Sequence, residues 1–167
     1  GATRAVEYRI GALASLKGAI LRHEDALAAA LKADLGKSAA ESFMCEIGLT
    51  LSELTWMQKH LPALAHEKRV PTPLAQFAAR SFRAPSPYGT VLIMSPWNYP
   101  VLLTLEPLID AIAAGNTAIV KPTAYAAATS EAAVPADEQK AEQQTAPESQ
   151  EPAAGEKSPE QAPAKAE

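Results

Sequence analysis

Two short apolar runs, TVLIM at Thr90–Met94 and TAIVK at Thr117–Lys121, constrain the fold of this chain more than any other feature. TVLIM is continuously apolar rather than alternating, which is the pattern of a strand buried on both faces inside a parallel sheet. A helical segment runs from about Val101 to Ala114 between the two runs, and Gly115 supplies its stop. Strand, helix and strand over about 30 residues make a βαβ unit, whose crossover should be right-handed. The first strand ends at SPWNYP (Ser95–Pro100), a tryptophan and an asparagine clamped between prolines.

The residues before this unit read as helices. Ile10, Leu13, Leu16 and Ile20 recur at three- and four-residue steps and form one apolar stripe. Leu27, Leu31 and Leu35 continue the pattern in a second segment that Gly36 ends. Ser38 to Glu41 has the form of a capping box and opens a third helix, with Phe43, Ile47, Leu51, Leu54 and Leu61 on one face and Pro62 as its stop. Residues 66–89 carry Pro71, Pro73, Pro85 and Pro87, which argues against a long helix. The stretch ARSFRAPSPYG reads as an edge strand or hairpin arm followed by a turn near Gly89.

From Glu131 onward the core-forming residues vanish. Residues 131–167 hold one valine, five prolines and nine acids, with no leucine, isoleucine or aromatic residue. Such a segment cannot bury enough apolar area to offset its ordering entropy and is expected to be disordered. The organisation expected is therefore 1–65 helical, 66–89 an extended or hairpin connection, 90–130 the βαβ unit and 131–167 an Ala/Pro/Glu-rich tail.

Charge follows the same division. Residues 1–130 carry 12 Lys+Arg and 10 Asp+Glu, whereas residues 131–167 carry 3 Lys and 9 Asp+Glu, and the whole chain has a net charge of -4. A nearly neutral body lacks the concentrated basic face of a nucleic-acid binder. His23, His60, His66 and the lone Cys45 form no metal-binding spacing, so no metal site is expected. A single cysteine permits no internal disulfide and fits a reducing compartment. No apolar run reaches the roughly 18 residues that span a bilayer. No signal peptide is visible, and a cytoplasmic location is the expectation. The chain opens on Gly1 rather than methionine, which suggests a processed or cut start.

The stretch SPYGTVLIMSPWNYPVLLTLEPLIDAIAAGNTAIVKP resembles the opening of the cofactor-binding domain of aldehyde dehydrogenases. ALKADLGKSAAESFMCEIGLTLSEL is similar to the N-terminal helices of the class-3-like branch of that superfamily. The P-W-N-[YF]-P turn, A-x-A-A-G-N and V-K-P at fixed spacing carry the resemblance, which runs to about residue 130. It implies an α/β fold: N-terminal helices, then the first βαβ unit of a Rossmann-like cofactor domain.

The resemblance also implies roles. Ligands of open α/β sheets bind beyond the carboxyl ends of the strands. The family's residue matching Asn98 donates its side-chain amide to the oxyanion formed when a cysteine thiolate attacks the aldehyde. An amide suits that role because it is a neutral donor that does not titrate near neutral pH. Residues matching Met94, Ser95, Pro96 and Trp97 line the cleft for NAD or NADP, and Lys121 matches a lysine that contacts the adenosine ribose. On residue type alone, Asn98 would be a turn or helix N-cap residue, Trp97 a core anchor and Lys121 a solvated charge. Ala124 stands where many members place a ribose-binding glutamate, which leaves the choice between NAD and NADP open.

The family's later glycine-containing cofactor turn, general-base glutamate and nucleophilic cysteine lie beyond about residue 130, and none is found in the tail. Cys45 matches no catalytic position and is expected to act as a small hydrophobe in the third helix. Two functions follow as expectations. One is the N-terminal piece of an NAD(P)-dependent aldehyde dehydrogenase, inactive alone, with an aldehyde as substrate and a homo-oligomer as the complete enzyme. The alternative is a non-catalytic binding or assembly module with an acidic disordered tail.

Overall fold

The computed structural model describes residues 2–133. Residues 134–167, most of the segment expected to be disordered, lie outside the described residues. A short 3-10 turn at Ala2–Arg4 leads into helix α1 (Val6–Arg22), and α2 (Glu24–Leu35) follows at once. Their junction is His23, whose amide donates to the carbonyls of Ala19 and Ile20, while its own carbonyl accepts from Leu27. Gly36 closes α2 at φ 71, and its amide returns to the Lys32 carbonyl. The left-handed conformation at this position favours glycine.

Helix α3 (Ala39–Ser42) starts as its sequence suggests, with the Ser38 hydroxyl accepting from the Glu41 amide at 3.2 Å. The chain then widens into a π turn at Phe43–Ile47 before continuing as α4 (Gly48–Leu64). The Gly48 amide closes the wide turn on the Phe43 carbonyl. A Cβ at Gly48 would lie 2.8 Å from that oxygen, so the wide turn needs glycine here. One extra residue in a turn shifts the phase of the helix. The buried stripe is consequently Glu46, Thr50, Leu54, Met57 and Leu61 beside Ile47, whereas Phe43 is exposed and Leu51 only half-buried. The expected face placed Phe43 and Leu51 in line with the core, because it assumed an unbroken 3.6-residue period.

Pro62 does not end this helix, which continues to Leu64 and closes with the Ala65 amide on the Leu61 carbonyl. Proline's φ is compatible with helix, and its missing N–H forfeits only one bond in the last turn. A hairpin follows, β1 (Lys68–Val70) antiparallel to β2 (Ser81–Arg83), with Val70 opposite Ser81. Strand β2 is the extended segment read from SFR, and β1 makes it the hairpin arm of the two readings.

Strands β3 (Thr90–Met94) and β4 (Thr117–Lys121) pair in parallel, in the register Thr90–Thr117 to Met94–Lys121, and α5 (Leu102–Ala113) crosses between them. Helix α5 ends in a Schellman arrangement. The Asn116 amide bonds the Ala111 carbonyl and the Gly115 amide bonds that of Ile112, with Gly115 at φ 84. Asn116 then ties the crossover down, its side-chain oxygen accepting from the Gly89 amide at 3.0 Å.

The core lies between helices rather than within the sheet. Leu13 and Ile20 of α1, Leu27 and Leu31 of α2, Leu54, Met57 and Leu61 of α4, and Val101, Leu105 and Ile109 of the α5 region form one buried cluster. Strand β3 corrects the expectation of two-sided burial. Ile93 is buried against α5, while Leu92 and Met94 are 60% and 69% exposed on the opposite face. Among the described residues nothing covers that face.

The last described element, α6 (Ala127–Ala133), packs on α2. It was not foreseen, and Glu131–Ala133, placed in the disordered segment by composition, are helical.

Candidate functional site

The parallel register brings the ends of β3 and β4 together. The Ser95 amide donates to the Lys121 carbonyl at 3.1 Å, extending the ladder by one step beyond Met94. The six residues singled out from sequence therefore share one end of the sheet, the carboxyl end. Met94 and Lys121 are register partners on the uncovered face, and both are exposed. Pro96, Trp97 and Asn98 form the exposed crest of the turn, with Trp97 58% exposed. Trp97 is thus no core anchor among the described residues. Ser95 is half-buried, with its hydroxyl 2.6 Å from that of Thr104 on α5. The Thr104 hydroxyl is placed to donate to the Ser95 hydroxyl or to the Pro100 carbonyl, one turn back, and its single proton serves one of them at a time.

What holds the turn is a residue pair that the sequence reading missed. Glu46, fully buried in the π turn, aims its carboxylate at the start of α5. Its Oε2 accepts from the Val101 amide at 2.9 Å and the Leu102 amide at 3.2 Å. Its Oε1 accepts from the Lys37 ammonium at 2.5 Å. Lys37 also donates to the backbone carbonyl of Asn98 at 3.1 Å and lies 4.1 Å above the centre of the Tyr99 ring. A carboxylate on a helix N-terminus satisfies amides that have no partner within the helix and meets the positive end of its dipole. The acid is charge-balanced by the lysine that reaches the turn.

This arrangement decides two questions. Asn98 is not the N-cap of α5: that position is Val101, and the amides there are met by Glu46 rather than by the asparagine, which stays exposed on the crest. The start of α5 is also closed as an anion site, since two of the amides that would meet a phosphate are already engaged. The side-chain donors this end offers a ligand include Asn98 and Lys121.

Cys45 lies half-buried in the π turn, on the helical layer. Among the described residues, no three His, Cys, Asp or Glu side chains come together in a way that could hold a metal, and no helix is long and apolar enough to cross a membrane. The signal that could have revealed Glu46 is its position. It stands on the same stripe as Thr50, Leu54 and Leu61, where a charge requires a partner if it is to be buried.

A carboxylate cap recurs once more. Asp34 of α2 accepts from the Ala128 amide at 3.3 Å and from the Thr129 amide and hydroxyl, both at 2.7 Å, at the start of α6. Partial burial pushes its carboxyl up, but the three hydrogen bonds outweigh this and hold it below the usual aspartate value.

Comparison with known proteins bears directly on this arrangement. The family model for the aldehyde dehydrogenase family matches residues 2–141. The 4,4'-diaponeurosporen-aldehyde dehydrogenase of Staphylococcus aureus is 46% identical over 121 residues, covering 72% of this chain and 26% of that protein. Human aldehyde dehydrogenase family 3 member B1 is 41% identical over 123 residues, covering 74% of this chain and 26% of that protein. The substrate-bound structure of Staphylococcus aureus AldH superposes with a TM-score of 0.76 at 42% identity, covering 78% of this chain and 28% of that one. An NADP-dependent enzyme of E. coli superposes with a TM-score of 0.65 at 26% identity, covering 79% and 28%. The chain thus spans about a quarter of the length of the curated relatives it matches.

Proposed function

The chain belongs to the aldehyde dehydrogenase family, and we propose that it serves as the N-terminal portion of an NAD(P)-dependent enzyme that oxidises an aldehyde to a carboxylic acid. The observation that carries this reading is the shared end of β3 and β4. There the Ser95–Lys121 bond sets the Pro96–Asn98 turn beside the last residue of the neighbouring strand. Ligands of open α/β sheets occupy that position.

In this reading Asn98 is the catalytic residue of the described portion. Its exposed amide donates to the oxygen that gains negative charge when a cysteine thiolate, supplied from outside these residues, adds to the aldehyde to give a thiohemiacetal. The amide needs no proton transfer to act, and the fixed turn beneath it keeps the donor in place before the charge develops.

The donor set fits a nicotinamide dinucleotide. Lys121 offers an exposed ammonium for ribose hydroxyls, and Met94, Ser95, Pro96 and Trp97 offer a mixed apolar and polar wall, with the start of α5 unavailable to phosphate. When bound, the dinucleotide would accept the hydride. Lys121 would bind and orient it, and the wall would exclude water. Ala124 provides no carboxylate toward the ribose, so these residues are compatible with NAD or NADP.

The test is an Asn98→Ala substitution in the complete enzyme, followed by the absorbance of the reduced cofactor with aliphatic and aromatic aldehydes. The expected result is a fall in kcat of about 10²–10³ with cofactor affinity nearly unchanged. An unchanged kcat would remove Asn98 from the reaction.

A further inference from the structure

We propose that Lys37 and Glu46 are positioning residues for Asn98, a role that rests on the oxyanion reading above. Three observations converge. Glu46 is fully buried, and both of its carboxylate oxygens are engaged: one takes both free amides at the start of α5, the other takes Lys37. Lys37 directs its remaining contacts to the turn itself, through the Asn98 carbonyl and the face of Tyr99. The π turn presents Glu46 to this spot, and it exists only because Gly48 lets the chain close on the Phe43 carbonyl.

These contacts fix the chain at and just after Asn98, and the Ser95–Lys121 bond holds it before. The Asn98 carbonyl is anchored from the helical layer by a charged donor. Shortly after it, the Val101 and Leu102 amides are anchored by the counter-ion of that donor. A backbone held at its carbonyl, next to a ring held by the same ammonium, fixes the point from which the Asn98 side chain projects. Preorganised donors stabilise a developing charge because they need no reorganisation during the reaction. A misplacement of about 1 Å can cost about 10²-fold in rate.

The alternative is that the pair merely stabilises the fold. The contacts argue against that division of labour. Satisfying the α5 amides requires only the carboxylate, whereas Lys37 adds bonds to Asn98 and Tyr99 that cap no helix. Removing Lys37 also leaves the buried Glu46 carboxylate unbalanced, so the two roles are separated by the coupling to Asn98 and by recovery with arginine rather than by the loss itself.

The experiment is a double-mutant cycle in the complete enzyme, with Lys37→Met, Asn98→Ala and their combination, plus Lys37→Arg as the conservative variant. Positioning predicts that Lys37→Met lowers kcat by about 10- to 100-fold while KM for the cofactor changes little. Lys37→Arg should recover most of the loss, because it keeps the charge and can lie over an aromatic ring. In the Asn98→Ala background Lys37→Met should cost almost nothing further, since the group it positions is gone. Additive losses, or a parallel fall of kcat and melting temperature without recovery by arginine, would overturn the proposal.

A measurement independent of activity accompanies the cycle. In the 167-residue chain, the side-chain amide resonances of Asn98 and the indole N–H of Trp97 should shift and broaden in Lys37→Met and in Tyr99→Leu, while the hairpin amides Lys68–Val70 stay in place. Unmoved Asn98 resonances in both variants would refute positioning even where Asn98→Ala is inactive. Shifted resonances together with an unaffected Asn98→Ala kcat would instead refute the oxyanion reading, and with it the catalytic meaning of the clamp.

Discussion

The uncovered sheet face should drive concentration-dependent self-association of the 167-residue chain. Leu92 and Ile119 are register partners, each 60% exposed, and Met94 beside them is 69% exposed. Full burial of such a side chain is worth about 1.5–3 kcal/mol, so the exposed part leaves roughly 1–2 kcal/mol ungained per residue. Three residues on each of two faces give a gross gain of about 6–12 kcal/mol for a face-to-face pair. Association costs at least about 4 kcal/mol in lost freedom. The balance is at most about 2–8 kcal/mol, and its middle, about 4–6 kcal/mol, corresponds to dissociation constants from about millimolar to tens of micromolar. Leu92→Thr places a β-branched residue in the strand and removes about 1–2 kcal/mol per face, so it should weaken the pair roughly 30- to 1000-fold. Its thermal stability should change little, because the side chain is mostly exposed and no helix among the described residues covers its face. Sedimentation equilibrium over a dilution series, for the parent chain and for Leu92→Thr, reads the association, and a thermal melt of each reads the stability. A parent chain that remains a clean monomer up to roughly millimolar concentration, with a cooperative melt, would refute the assignment of this face as unsatisfied.

Other outcomes follow from the same geometry. Asp34→Ala should fray α6 and cost about 1 kcal/mol, read as faster hydrogen exchange at the Thr129 amide. Because the Asp34 carboxyl is held below its ordinary value, its contribution is fully present above the ordinary aspartate range and is lost as pH falls through the depressed value; protection of the Thr129 amide, relative to its intrinsic exchange rate at each pH, should therefore fall only in acid. Gly115→Ala should destabilise by roughly 1–3 kcal/mol, because φ 84 is strained for any side chain and the new Cβ would lie 3.1 Å from the Thr3 carbonyl; a lower denaturant midpoint checks it. The 167-residue chain by itself should reduce neither NAD nor NADP with any aldehyde. Turnover that vanishes in Cys45→Ser would contradict the placement of that thiol on the helical layer, away from the turn.

Local chemistry made much of this fold legible in the sequence. Gly36 and Gly115 end helices because the left-handed turn each helix needs favours glycine, and both stops can be read from the residues alone. The parallel pairing of TVLIM and TAIVK follows from the helix between them. The misreadings arise where a distant partner decides. TVLIM is apolar throughout, yet only one face is covered by α5; an apolar run records what a strand can be buried against, not which neighbours are at hand. The phase of α3 through α4 is set by the π turn, so Phe43 leaves the face that an ideal period assigns to it. Helix α6, AATSEAA, carries hardly any apolar signal, and its start is held by Asp34, 94 positions earlier. The candidate site divides the same way. Asn98, Trp97 and Lys121 could be singled out because their motifs are local, whereas Glu46 meets Val101 across 55 positions and Lys37 meets Asn98 across 61.

The two carboxylate caps show why Glu46 carries a functional reading and Asp34 does not. Both solve the same problem, a helix start in or just after the βαβ unit satisfied by an acid from the N-terminal helical layer. Asp34 is half-buried, and every bond it accepts belongs to α6. Such a cap is worth about 1 kcal/mol and needs no counter-ion, because water solvates the rest of the group. Glu46 has no such solvent and must be balanced, and breaking a buried pair typically costs about 3–5 kcal/mol. If stability alone were at stake, an uncharged cap would do as well without that exposure to failure. The ion pair adds direction, because an ammonium fixed by a buried carboxylate can reach a backbone carbonyl and an aromatic face at defined positions. Those positions are Asn98 and Tyr99. The fully buried charge is placed where a turn must be held still, and the half-buried one where a helix only needs to begin.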